Sequence, residues 1–133
     1  MASALYDKGR EGILDRTIDL TGDVRAVLVK SAYTVDLATH DFMADIGVND
    51  NGRSAALASK TYTAGVFDAA DSTLNATAAD ACEAIVIFQH TGNDATARLI
   101  AYIDTATGLP FTPAAGQAVP IVWDNSANRI FKL

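Results

Sequence analysis

The sequence predicts a mainly β fold: a single-domain antiparallel β-sandwich or barrel over residues 1–133, with one or two short helices. Three observations predict it. Apolar runs of strand length recur at residues 24–30, 83–89, 98–104, 117–123 and 129–133. Clusters of turn-forming residues separate them, among them Thr21-Gly22-Asp23, Thr91-Gly92-Asn93-Asp94, Thr105-Ala106-Thr107-Gly108 and the stretch 124–128. Helical periodicity is confined to two short stretches, and a chain of 133 residues suits one domain with its own core.

The first of those stretches, residues 3–14, reads as a helix capped by Ser3, with Leu5, Tyr6, Gly9, Ile13 and Leu14 near one face. Gly9 and Gly12 weaken it, each by about 1 kcal/mol. So short a helix does not stand alone in water. Its apolar face therefore needs a partner, either the protein's own sheet or a neighbouring subunit. Residues 15–20 alternate apolar and polar before a turn. Residues 24–30 form the first strong strand. Val27, Leu28 and Val29 are consecutive there, which predicts cover on both faces.

Residues 35–45 read as the second short helix, with Thr39 as N-cap and Phe42, Met43 and Ile46 turned inward. Residues 47–52 are a loop by residue type. Residues 53–62 and 70–76 are two weaker strands. The clearest strand is 83–89, centred on Ile85-Val86-Ile87-Phe88, and 98–104 returns from it. Simple alternation there sets Leu99, Ala101 and Ile103 against Ile100 and Tyr102. Pro120 cannot donate to a ladder, so the strand over 117–123 begins at Pro120 or lies at an edge. Ile85, Ile87, Leu99, Ile103, Ile121 and Trp123 are the expected central core. There is no internal repeat, linker or low-complexity tract.

Composition narrows the function. Sixteen acids against ten Lys and Arg give a formal charge of −6, and no basic cluster is present, so no nucleic-acid partner is expected. No apolar run approaches the roughly 20 residues of a spanning helix, so no membrane partner is expected either. A basic segment followed by an apolar block is missing at the N-terminus, and no secretory signal is expected. The glycosylation sequon at Asn75-Ala76-Thr77 then reads as chance. The single cysteine, Cys82, has no disulfide or zinc partner and reads as a small buried apolar residue.

No catalytic, cofactor-binding or metal-binding residue is predicted. The two histidines, His40 and His90, lie in no nucleophile elbow. Cys82 and His90 are a strand length apart, roughly 26 Å if extended, and cannot pair within one strand. The stretch 47–52 resembles a calcium loop only until its ends are checked. With Gly52 as the sixth position, Gly47 and Ala58 fall where carboxylates are required. The pairs Asp41/Asp45 and Asp68/Asp71 read as a solvated acidic face. Trp123 and Tyr102 are candidates for a carbohydrate platform, with a core role as the alternative.

Four blocks carry a resemblance. They are Ala4-Leu5-Tyr6-Asp7-Lys8-Gly9-Arg10-Glu11-Gly12-Ile13-Leu14; Arg25-Ala26-Val27-Leu28-Val29 with Tyr33-Thr34 and Leu37-Ala38-Thr39-His40-Asp41-Phe42; Leu99-Ile100-Ala101-Tyr102-Ile103-Asp104-Thr105-Ala106-Thr107-Gly108-Leu109-Pro110; and Ile121-Val122-Trp123-Asp124-Asn125 with Ile130-Phe131-Lys132-Leu133. In this order they resemble small virion structural proteins of tailed bacteriophages. Residues 55–81 lie outside the blocks. The resemblance implies a non-enzymatic capsid cement or decoration protein on the shell exterior, present in the host cytoplasm during assembly. Its implied partners are the major capsid protein and copies of itself, as a dimer or trimer. A tail, fibre or neck component and a carbohydrate-binding surface module are the alternatives. The family carries no site motif onto this chain. The expected assembly contacts are the terminal apolar residues Leu5, Tyr6, Ile13, Leu14, Ile130 and Phe131.

Overall fold

A computed structural model describes residues 4–105, 108–123 and 130–133. The fold is mainly β and sandwich-like, with one α-helix. The strands are β1 (Ala4–Leu5), β2 (Val24–Lys30), β3 (Asp50–Arg53), β4 (Val66–Phe67), β5 (Ser72–Asn75), β6 (Cys82–Gln89), β7 (Leu99–Ile103), β8 (Ala118–Ile121) and β9 (Phe131–Lys132). The helix, α1 (Asp7–Leu14), follows β1 directly. Five strands form an antiparallel sheet in the order β1-β7-β6-β2-β3, and the ribbons β4-β9 and β5-β8 supply the other layer.

The central pair is β2 with β6, whose apolar runs face each other in register, Val27 opposite Val86 and Leu28 opposite Ile85. Alternation sends their side chains to two cores. Val24, Ala26, Leu28, Ile85 and Ile87 face a first core shared with Phe67, Leu74, Val119, Ile121, Trp123, Ile130 and Phe131 of the ribbon layer. Val27, Val29, Val86 and Phe88 face a second core with Tyr6, Tyr33, Met43, Ile46, Leu99 and Tyr102. Both faces of β2 are covered, as its unbroken apolar run requires.

Two expectations about register and core change. A bulge shifts the pairing of β6 with β7, so that Ile87 opposes Ala101 while Phe88 opposes Leu99. The extra residue reverses the alternation at the start of β7. Ile100 joins the first core and Leu99 the second. Ile85, Ile87, Ile103, Ile121 and Trp123 do lie together in the first core. Pro120 sits opposite Thr73 on β8, which pairs with β5 alone among the described residues. That is the edge position proline demands.

The expected helix over 35–45 is instead a run of turns ending in a single 3-10 turn, Met43–Asp45. Its polar side chains take the backbone donors that a helix would use. The Asp36 carboxylate accepts from the Ala38 and Thr39 N–H groups, both at 3.0 Å, and Asp45 accepts from Asp41 and Phe42 at 2.8 and 3.1 Å. Such local bonds compete with helical ones. The expected loop over 47–52 is a 3-10 turn, Gly47–Asn49, followed by β3. The expected strand over 53–62 holds only the end of β3 and two isolated bridges, Ser54 to Leu74 and Thr61 to Asp68. The strand over 70–76 is β5. Ser3, and the turn at 124–128, lie outside the described residues.

The N-terminal segment docks on its own sheet. β1 pairs with β7, and α1 continues along the same edge, with the Tyr6 N–H bonded to the Ile100 carbonyl at 3.0 Å. Gly9 is what permits this approach. A Cβ there would stand 2.8 Å from the carbonyl oxygens of both Leu99 and Ile100. A glycine that lowers helix propensity is thus the residue that lets the helix dock.

Candidate functional site

The second core contains the most concentrated set of titratable side chains in the described structure. Tyr6, at the junction of β1 and α1, is fully buried, and its hydroxyl lies 2.9 Å from that of Tyr33. The Tyr33 hydroxyl lies 2.6 Å from Nδ1 of the half-buried His40. The Asp36 N–H also points at that Nδ1, at 3.4 Å. On the sheet, the Tyr102 ring stands 6.4 Å from Tyr33, and its hydroxyl donates to Glu83 at 3.4 Å.

The cause of each perturbation is local. Burial pushes Tyr6 and Tyr33 above the ordinary phenol range, and for Tyr6 the bond to Tyr33 adds to it. Burial, with the Glu83 carboxylate beside it, pushes Tyr102 up to about 12. Burial works against the charge on Asp45, but the Asp41 and Phe42 N–H groups outweigh it and hold the carboxyl below its usual range. The bonds from Thr39 and Ala38 lower Asp36 likewise. The Tyr6 and Tyr33 hydroxyls form a hydrogen-bonded pair that ends on the His40 imidazole.

The other residues singled out by chemistry are dispersed. Cys82 is buried, accepts from the Asn51 carboxamide at 3.1 Å, and burial pushes its thiol up, away from the nucleophilic thiolate. β6 runs unbroken from Cys82 to Gln89, so His90 lies a whole strand away. His40 is engaged with Tyr33, not Cys82. Trp123 and Tyr102 are 3% and 4% exposed, so neither presents a face on which a sugar can stack. The Trp123 indole N–H donates to the Ala70 carbonyl. Asp41 pairs with Arg98, Asp45 caps the turn, and Asp71 accepts from the Trp123 N–H. Asp50 bonds the Gly52 N–H and Arg53. No group of three metal-ligating side chains occurs among the described residues.

Most of the described cations are matched internally. Lys8, Arg10, Arg25, Lys30, Arg53 and Arg98 each lie within 3.2 Å of a carboxylate, and Lys60 reaches the Gly22 carbonyl. These groups leave no basic stripe for phosphates. No described helix is long and apolar enough to cross a membrane.

The six terminal residues expected to make assembly contacts divide sharply. Leu5, Tyr6, Ile130 and Phe131 are buried in the cores, because β1 and β9 are structural strands of this fold. They are core residues of the chain itself. Ile13 is partly buried against the first core, and Leu14 is 84% exposed. A second apolar surface was not anticipated. Leu20, Tyr62, Val66 and Leu133 surround a shallow groove floored by Phe67 and Phe131. Tyr62 and Leu133 are exposed, and the Tyr62 hydroxyl anchors on the Leu20 carbonyl at 2.9 Å. These residues are far apart in sequence; the pairing of β4 with β9 and the Tyr62–Leu20 bond bring them together. No family model, curated protein or solved structure matches the chain.

Proposed function

We propose that this chain is a non-enzymatic structural protein of a phage virion, a cement or decoration protein that stabilises the outside of the capsid. The family reading rests on the four sequence blocks. The observation that carries the mode of action is the exposed apolar surface: the groove of Leu20, Tyr62, Val66 and Leu133, with Leu14 as a separate exposed apolar residue. Such a surface suits attachment to a protein lattice, here the major capsid protein. Copies of the chain, as a dimer or trimer about a local symmetry axis, add weak contacts into firm attachment.

Co-sedimentation with purified phage heads tests this. The wild-type chain is expected to pellet with shells in a copy number comparable to the shell's own subunits. The double variant Tyr62→Ser/Leu133→Ser changes two exposed side chains, so it keeps its circular dichroism spectrum and loses attachment. Failure of the wild-type chain to bind heads, or its recovery in a few copies with tails, overturns the cement reading.

A further inference from the structure

We propose that Asn51-Gly52 is a fold-gated modification site. It deamidates spontaneously when the chain is unfolded, is closed to the reaction when the chain is folded, and once hydrolysed no longer fits the native structure. Asn51 is the one asparagine in the sequence that glycine follows. The reaction has three requirements. The Gly52 amide nitrogen gives up its proton to a base, hydroxide in water. That nitrogen then bonds to the Asn51 side-chain carbon, Cγ, while the Cγ–NH2 bond breaks and ammonia leaves. Water finally opens the cyclic imide, at one carbonyl to give an aspartyl residue and at the other to give an isoaspartyl residue. No oxidant or reductant takes part. A following glycine suits the attack because no Cβ shields its nitrogen.

The fold denies each requirement. The Gly52 N–H donates to Asp50 Oδ1 at 2.9 Å, so its removal would set a negative nitrogen against a carboxylate. The Asn51 carboxamide cannot swing toward that nitrogen, because residues 77–82 hold it. Its NH2 group donates to the Ala78 carbonyl and to Cys82 Sγ, both at 3.1 Å. Its oxygen accepts from Thr77 Oγ1 at 3.1 Å and from the Ala78 N–H at 2.9 Å. Asn51 is also fully buried, away from hydroxide and water.

The same bonds turn hydrolysis into a lasting defect. They use both donors and both acceptor positions of a carboxamide. A carboxylate has no proton for Ala78 or Cys82, and it sets a buried negative charge against a carbonyl oxygen. An isoaspartyl residue adds a methylene to the main chain just before Gly52, whose backbone lies so close to the Asn75 carbonyl that no Cβ fits. A chain that folds promptly keeps Asn51. One that lingers unfolded acquires a handicap that refolding does not repair.

The test ages the full chain in mildly alkaline buffer, with and without enough urea to unfold it, and follows the peptide spanning Asn51 by mass spectrometry. Exchange of NH2 for OH at Asn51 is expected to be at least about a hundredfold slower in the folded chain, where it waits on opening of the structure. Equal rates overturn the proposal. Urea-aged chains are then diluted to the highest urea concentration at which fresh chain stays folded, and folded chains are separated from the rest. Converted chains are expected to be about tenfold depleted in the folded pool, because an uncompensated buried charge is strongly destabilising. An equal share in both pools overturns the proposal as well. Asn51→Asp replaces NH2 by oxygen at nearly constant shape, and it is expected to lower the urea midpoint or to prevent folding. An unchanged midpoint would refute the misfit of the hydrolysed chain.

Discussion

The two faces of the five-stranded sheet are covered in opposite ways. The first is covered by strands, and its core is mainly apolar: aliphatic residues of β2 and β6 against Phe67, Ile121, Trp123 and Phe131. The second is covered largely by the irregular segment 31–46, whose shape is fixed by carboxylates bonded to backbone N–H groups and by a chain of hydroxyls. Close packing stabilises in proportion to area and has no sense of pH. Polar bonding is directional and titrates. The first face is therefore expected to set global stability, and the second to respond to conditions.

The largest effect should come from the first face. Ile87 is fully buried between β2 and β7, and Ile87→Ala is expected to cost about 2–5 kcal/mol, a large share of a small domain's stability. Urea unfolding checks this, and an unchanged midpoint would mean that the first core does not set global stability.

A smaller and more local effect is expected at the sheet edge. Gly9→Ala sets a methyl group against two backbone carbonyls that cannot yield, at about 1–3 kcal/mol. It should raise exchange at the Tyr6 and Asp7 amides more than at Val86. Uniform loss of protection would mean that the N-terminal segment and the central strands unfold as one unit.

The smallest effect is expected within the second face. Asp45→Asn weakens the acceptor for the Asp41 and Phe42 N–H groups and should cost about 1 kcal/mol, as loss of a helix cap does. Asp45 and Asp36 are held below the ordinary carboxylate range, so the folded state binds their protons less readily than the unfolded chain. Their contribution is complete above about pH 5 and is lost as pH falls through their lowered values. The melting temperature of the wild-type chain should thus fall more steeply on acidification than that of Asp45→Asn. Parallel curves would show that the cap does not stabilise the second face.

The same contrast explains what was legible in the sequence. β2 and β6 are visible as apolar runs because both of their faces are buried. β8 is visible, and its place at an edge follows from Pro120. The segment 35–45 has the spacing of a helix, but spacing does not reveal that Asp36 and Asp45 bond the local backbone instead. β3 is hidden for a related reason. Asp-Asn-Gly-Arg reads as a turn, yet Asn51 is fully buried, with its carboxamide bonded to Ala78, Thr77 and Cys82 across the molecule. Gly52 beside it has a φ of +120° and lies against the Asn75 carbonyl, where no Cβ fits. The bulge in β7 was beyond a strict period of two. The burial of Leu5 and Phe131 was not legible, because terminal strands of two residues are too short to show alternation. The groove at Tyr62 and Leu133 depends on pairing of strands about half the chain apart, which local pattern does not encode.

The way the strands end has a further consequence at high protein concentration. An unsatisfied strand margin is a template for fibre growth. Here α1 lies along the β7 margin, and the bridge from Ser54 to Leu74 ties the end of β3 to the ribbon layer. β8 carries a proline, and β9 is two residues long, with Lys132 exposed. None of these four margins offers a long, flat row of free amides. Chance encounters between copies are thus steered away from cross-β stacking, which does not terminate.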